Sequence, residues 1–143
     1  MASITSSNAI ITLTIPGLFA VPQQLQGFSA DNVYDMGDQE IVQTSMGVDG
    51  LLSGGYVNNP IEQSFTLQSD SPSNVIFEVW ASTQRQAKDI YVANGETRLP
   101  SLNRSYVSTK GYLISLPPAP SAGRILAPRR YVIRWERVTS TPI

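Results

Sequence analysis

Only one stretch of this chain, "SPSNVIFEVWASTQRQAK" (71–88), carries apolar residues at helical spacing. Nearly everything else alternates with period two or is broken by glycine and proline. A chain with one helix must take most of its core from strands. The helix is predicted with Ser71 as N-cap and Pro72 in the first helical position. Asp70 and Glu78 lie toward its N-terminal half, and Arg85 and Lys88 lie at its C-terminal end, as the helix dipole prefers. Ile76, Val79, Trp80, Thr83 and Ala87 fall on one face, a stripe that reads as core rather than as a cofactor site.

The strands follow from alternation. In "AIITLTIPGLF" (9–19), Ile11, Leu13 and Ile15 alternate with threonines up to Pro16-Gly17. "QEIVQTSM" (39–46) and "IEQSFTLQS" (61–69) are further strands, the second placing Ile61, Gln63, Phe65 and Leu67 on one face. Between them, 46–60 reads as the connection of a long hairpin. Residues 21–36 read as an irregular segment or short strand anchored by Leu25, Phe28, Val33 and Tyr34. Residues 89–101 contain Asn94-Gly95, a turn dipeptide. Two strands, 104–117 and 128–140, flank the proline-rich surface loop "PPAPSAGRILAP". The expected architecture is mainly β: a small β-sandwich or open barrel with one flanking helix. It forms a single domain over 1–143, with an extended hairpin loop at about 46–60.

Charge is segregated along the chain. Residues 1–84 hold eight acids (Asp31, Asp35, Asp38, Glu40, Asp49, Glu62, Asp70, Glu78) and no base, a net of −8. Residues 85–143 hold ten bases against Asp89, Glu96 and Glu136, a net of +7. Three readings stand side by side. The charges pair within one subunit, or opposite surfaces meet between copies in a heterologous contact, or the basic half binds nucleic acid. Against the third, Tyr131, Ile133 and Trp135 alternate with Val132, Arg134 and Glu136, which is the pattern of one strand.

Catalysis has little to work with. Without cysteine or histidine there are no disulfides, thiolates, Cys/His zinc sites or histidine bases. The remaining option is a carboxylate pair among Asp31, Asp35, Asp38 and Glu40, but Tyr34 is the only aromatic neighbour a sugar site would have there. The chain reads as a non-enzyme without cofactor or metal. Its N-terminus lacks a basic n-region, and Pro16-Gly17 interrupts its apolar run, so neither a signal peptide nor a membrane span is expected, and a cytoplasmic origin is.

The glycine-rich "MGVDGLLSGGYVNNP" (46–60) fails the phosphate and calcium templates. Tyr56-Val57 stands where a P-loop needs Lys-Ser/Thr, and no alternate oxygen ligands follow Asp49-Gly50. What it offers is an apolar set, Met46, Val48, Leu51, Leu52, Tyr56 and Val57, on a glycine-supported excursion. Those side chains either fold back onto their own domain or enter a neighbouring subunit, because leaving them in water costs roughly 25 cal/mol per Å².

With the order of these motifs in view, "QTSMGVDGLLSGGYV" followed by "IEQSFTLQSDSPSNVIFEVWASTQ" resembles the tail tube (inner tube) proteins of tailed bacteriophages, particularly contractile-tailed ones. The match covers about residues 40–88, and "LQSDSPS" is its most specific piece. The resemblance implies a tail-tube-like β-fold with a flanking helix, six copies closing into a ring-spanning β-barrel, and rings stacking into a hollow tube that conducts DNA without binding it specifically. It implies a place in the virion after assembly in the host bacterial cytoplasm, with sheath, baseplate or initiator, tape measure and terminator proteins as partners and no membrane. Met46, Val48, Asp49, Leu51, Leu52 and Tyr56 match the segment that contacts an adjoining ring. Arg85, Lys88, Arg129, Arg130, Arg134 and Arg137 are the candidate basic counter-surface. Asp31, Asp35, Asp38, Glu40 and Glu62 are the candidate acidic lumen or interface. A tube-initiating baseplate protein of the same fold, or a monomeric β-sandwich binding module, are the alternatives.

Overall fold

A computed structural model describes residues 9–28 and 33–142. In chain order the strands are β1 (Ile10–Ile15), β2 (Phe19–Gln24), β3 (Tyr34–Met36), β4 (Val42–Met46), β5 (Leu52–Tyr56) and β6 (Ile61–Leu67). Helix α1 (Asn74–Ala87) follows, then β7 (Ala93–Leu99), β8 (Arg104–Ser115) and β9 (Arg129–Pro142). Seven strands form one antiparallel sheet in the order β2-β1-β7-β8-β9-β6-β3, while β4 and β5 pair only with each other. Of the expected sandwich or open barrel, the main sheet takes the open form, curled with the flanking helix packed on its buried face.

The alternating residues build the concave face as their period requires. Ile11, Leu13 and Ile15 of β1, Phe65 and Leu67 of β6, and Tyr131, Ile133 and Trp135 of β9 are all buried in one cluster. Curvature is visible in a bond across the interior: Gln63 Nε2 on β6 donates to Thr97 Oγ1 on β7 at 3.3 Å, although β9 and β8 lie between those strands. Gln63 Oε1 accepts from Trp135 Nε1 at 3.0 Å, so this buried amide is satisfied on both sides.

Glycine makes the curl possible at two positions. A Cβ on Gly111 would stand 2.4 Å from the Trp135 ring, and one on Gly95 would stand 3.0 Å from it and 3.1 Å from Leu13. Asn94-Gly95 is accordingly not a turn. It lies inside β7 at a bulge against β8, where Asn94 Oδ1 accepts the Lys110 N–H at 3.2 Å.

The helix begins later than its cap signals suggest. Ser73 is the N-cap, without a side-chain bond to the helix, and Pro72 precedes it. Ser71 and Ser73 instead hold the passing chain: Ser73 Oγ accepts the Gln26 N–H at 2.8 Å, and the Ser71 hydroxyl donates to the Gln26 carbonyl. Gly27, at φ +72°, passes so close to Ser71 that no Cβ fits. Residues 25–28 thus bridge the β1 edge, where Leu25 N–H reaches Ile11 O, to β6, where Gln68 N–H reaches Gly27 O.

The buried helical face is Ile76, Phe77 and Trp80 with Asn74, rather than the stripe through Val79, which is exposed. Phe77 stacks on Tyr131 with centroids 4.1 Å apart and planes 11° from parallel. The Tyr131 hydroxyl donates to Asn74 Oδ1 at 2.9 Å.

Two outcomes follow. Gly111→Ala forces its methyl into Trp135, and thermal or urea unfolding should register a loss of about 1–3 kcal/mol, the usual range for overpacking. Burial pushes the Tyr131 phenol up to about 12, with the nearby Arg129 partly offsetting it and Glu78 adding to it. The unfolded chain releases this proton near pH 10, so the contribution is intact below pH 10 and disappears as pH rises toward 12. The drop in urea midpoint across pH 10–12 should be shallower in Tyr131→Phe.

Candidate assembly interface

The β4–β5 hairpin projects from the Ile61 end of β6, and every residue from Ile41 to Tyr56 is exposed. The stretch 46–60 is not a bare connection between the strands at 39–46 and 61–69. Residues 52–56 turn back onto 42–46, and the tip is confined to 47–51. Gly47 N–H donates to Leu51 O at 2.9 Å, and Gly50 N–H to Gly47 O at 3.1 Å. Gly50 sits at φ +84°, where a side chain would be strained. Asp49 Oδ1 accepts the Leu51 N–H at 3.2 Å, so this carboxylate shapes the tip. At the base, Gln39 Nε2 donates to Asn59 O at 2.8 Å and Asn59 Nδ2 to Glu40 O at 2.9 Å.

Register gives the hairpin two different faces. The pairs Val42↔Tyr56, Thr44↔Gly54 and Met46↔Leu52 share one side; Gln43↔Gly55 and Ser45↔Ser53 share the other. One side is apolar and the other polar or bare. A Cβ on Gly54 would meet Val42 Cγ1 at 3.2 Å, so the glycine leaves Val42 room to lie across the strand. At the tip, Val48 and Leu51 add two further exposed apolar side chains. Covering Val42, Met46, Leu52 and Tyr56 would contribute roughly 6–12 kcal/mol before the costs of association, at about 1.5–3 kcal/mol per side chain. Of this set, Val42 went unnoticed in the sequence, because only the β4–β5 register shows that it faces Tyr56.

The charged candidates scatter. Arg129 is not a surface residue: its side chain is 4% exposed, and Nη1 donates to Glu78 Oε1 at 2.8 Å. Its Nη2 reaches Pro117 O at 3.3 Å, and its guanidinium lies 5.7 Å from the Tyr131 ring centre. Glu62 and Arg134 face each other across β6 and β9, with Arg134 Nε 3.1 Å from Glu62 Oε1. The acidic and basic halves therefore meet partly within the subunit. Being about half exposed, the Glu62–Arg134 pair adds about 0–1 kcal/mol.

Arg130 Nη2 reaches Ser64 Oγ at 3.3 Å on the same outer face. That face carries Glu62 and Glu96 beside Arg98, Arg130 and Arg134, so it is mixed in sign rather than acidic. Arg85 and Lys88 are exposed at the C-terminal end of α1, and Arg137 is exposed on β9. Asp35 lies on β3 opposite Ser64, and Asp38 and Glu40 are exposed on the way into the hairpin. Asp31 lies outside the described residues.

A family model described as "Tail fiber protein gp32" matches residues 2–139. No curated protein sequence matches the chain. Among solved structures, the fold is similar to the tube terminating cap of the anti-feeding prophage, with a TM-score of 0.67 at 13% identity, covering 100% of this chain and 93% of that one. It is similar to a chain of the PVC extracellular contractile injection system sheath–tube complex, with a TM-score of 0.61 at 10% identity, covering 93% and 88%. A chain of the six-fold symmetrised anti-feeding prophage baseplate gives 0.59 at 11%, covering 99% and 97%. At these identities what is shared is the fold, one found in tube, cap and baseplate chains of contractile particles. The family match spans nearly the whole sequence, and the chain belongs to the tail fiber protein gp32 family.

Proposed function

We propose that this protein is a structural subunit of a phage tail, without catalysis, whose copies close into six-membered rings that stack into a hollow tube for DNA. The observation that carries this reading is the β4–β5 hairpin, with Val42, Met46, Leu52 and Tyr56 exposed on one side and, among the described residues, no strand of the main sheet beside it. An isolated two-stranded hairpin is marginal in water, so one built this way is made for a partner. The fold's occurrence in tube, cap and baseplate chains supports the same reading.

Among the described residues, the curled sheet also ends in two edge strands, β2 and β3, with no further strand beside them. Pairing them between neighbours would close a barrel around the ring and remove the edges that otherwise invite aggregation. Sheath, baseplate, tape measure and terminator proteins are the expected further partners. A second reading, a ring that starts or caps a tube, is favoured by the likeness to the tube terminating cap and to the baseplate chain. It differs in outcome, giving rings that do not grow.

Size-exclusion chromatography and negative-stain imaging should show rings or tubes about 80–100 Å wide, from six domains of about 30 Å around a channel. A monomer at every concentration overturns the proposal, and rings without tubes select the second reading. Leu51→Asp combined with Leu52→Asp should abolish tubes while the circular dichroism spectrum and unfolding midpoint stay unchanged. Tubes formed by that variant would remove the hairpin as the element between rings.

A further inference from the structure

At the opposite end of the subunit from the hairpin lies a second exposed apolar feature. Between β8 and β9 the chain makes a small closed knuckle: Ala127 N–H donates to Ser121 O at 2.7 Å, Gly123 N–H to Ile125 O at 3.0 Å, and Ala122 bridges Leu126. Its apex presents Ile125, 82% exposed, with Leu126 and Arg124. The knuckle is held in place from below. The Ser69 hydroxyl donates to Ala127 O, and the buried Arg129 reaches Pro117 O. On this braced, proline-rich loop Ile125 is left almost bare by the subunit itself, and Leu126 is about half covered.

The two features sit at opposite ends of the β6–β9 pair. The hairpin enters at Ile61, whose partner is Trp135, and the knuckle meets the sheet at Arg129, whose partner is Leu67. Seven residues of strand separate them by about 20 Å. Their charges are complementary. Residues 38–60 contain Asp38, Glu40 and Asp49 and no base, and residues 116–128 contain Arg124 and no acid.

From this arrangement we infer that the hairpin of one copy docks on the knuckle of the next, with Met46, Leu52 and Tyr56 covering Ile125 and Leu126 and with Arg124 meeting the acids of the hairpin and its base. The inference rests on the stacked-ring reading and names the surface that receives the hairpin. Contact between unlike ends is heterologous: each copy gives one hairpin and accepts one, so the series stays open until another protein ends it. A contact between like ends would stop at two copies.

The chain has no cysteine, so introduced thiols report on this contact without background. The exposed positions Leu52 and Ile125 are changed together to cysteine, and so, separately, are Met46 and Leu126. Each variant is assembled under reducing conditions and treated with a short bis-maleimide. The expected result is a denaturing-gel ladder of three, four and more linked subunits in both double variants, with each single-cysteine variant stopping at a dimer. The two thiols of one subunit are too far apart for a short linker to join them. A second pair of variants, Ile125→Asp with Leu126→Asp and Arg124→Glu, should lose the pelletable assembled fraction while keeping the unfolding midpoint. Tubes without a ladder in either double variant, a ladder that stops at dimers, or a link mapped by mass spectrometry to another part of the chain would each overturn the hairpin–knuckle contact alone. Cysteine-free parent protein that remains monomeric would overturn the stacked-ring reading, and this contact with it.

Discussion

The curl of the subunit depends on Trp135 packing against two strands that carry glycine where they meet its ring. Gly111 and Gly95 supply the space, and the indole fills it so closely that a single methyl at either position would collide. A sheet can curl this tightly only where its concave layer is thin on one side and bulky on the other. Here β7 and β8 are thin, and β9 is bulky. The indole nitrogen then needs an acceptor in a dry interior, which explains Gln63 and, through it, Thr97. Phe77, stacked on Tyr131, brings the helix onto the remaining open side of the curl. The concave face is thereby filled from its own strands and helix, and the projecting hairpin and the knuckle are among the places where large apolar side chains stay exposed.

Charge follows the same division. The acidic and basic halves of the sequence are adjacent strands and a helix in the fold, so Glu62–Arg134 and Glu78–Arg129 close within the subunit. The nearly buried guanidinium of Arg129 is met by a carboxylate, a carbonyl and an aromatic face, while its Nε has no partner among the described residues. What remains outside is smaller than the raw asymmetry of −8 against +7 suggests. It includes acids at the hairpin and its base, Arg124 on the knuckle, and the exposed Arg85, Lys88 and Arg137 elsewhere on the surface.

Much of this was legible from period alone. Ile11, Leu13 and Ile15, then Ile61 through Leu67, then Tyr131, Ile133 and Trp135 all lie on the buried face that alternation assigned them, because a half-buried sheet leaves no other choice. Asn94-Gly95 was misread because glycine serves two purposes. The local dipeptide favours a turn, but here the missing side chain makes room for a tryptophan forty residues away in sequence. The strand β5 was hidden for a related reason: "LSGGY" has low β-propensity, and only pairing with β4 makes it extended. Ser71 does part of a cap's work, its Oγ accepting the Ser73 N–H at 3.2 Å, but its hydroxyl also donates to the strap at Gln26, a long-range demand that no local rule contains. For the candidate interface, the exposed leucines were visible in the sequence, but that Leu52 shares a face with Val42 and Tyr56 needed the register.

The adjacent glycines of β5 connect local weakness to assembly. Gly54 and Gly55 add backbone freedom and remove cross-strand contacts, so the hairpin has little stability of its own. An apolar arm that was rigid from the start would expose a fixed sticky edge on every free subunit. An arm that becomes fully ordered only when its apolar side is covered spends part of the docking energy on that ordering, which weakens each isolated contact. Several such contacts made at once between two closed rings are strong together, since after the first the others are effectively intramolecular. On the stacked-ring reading, the glycines therefore set the difference between two subunits that meet and part and two rings that stay stacked.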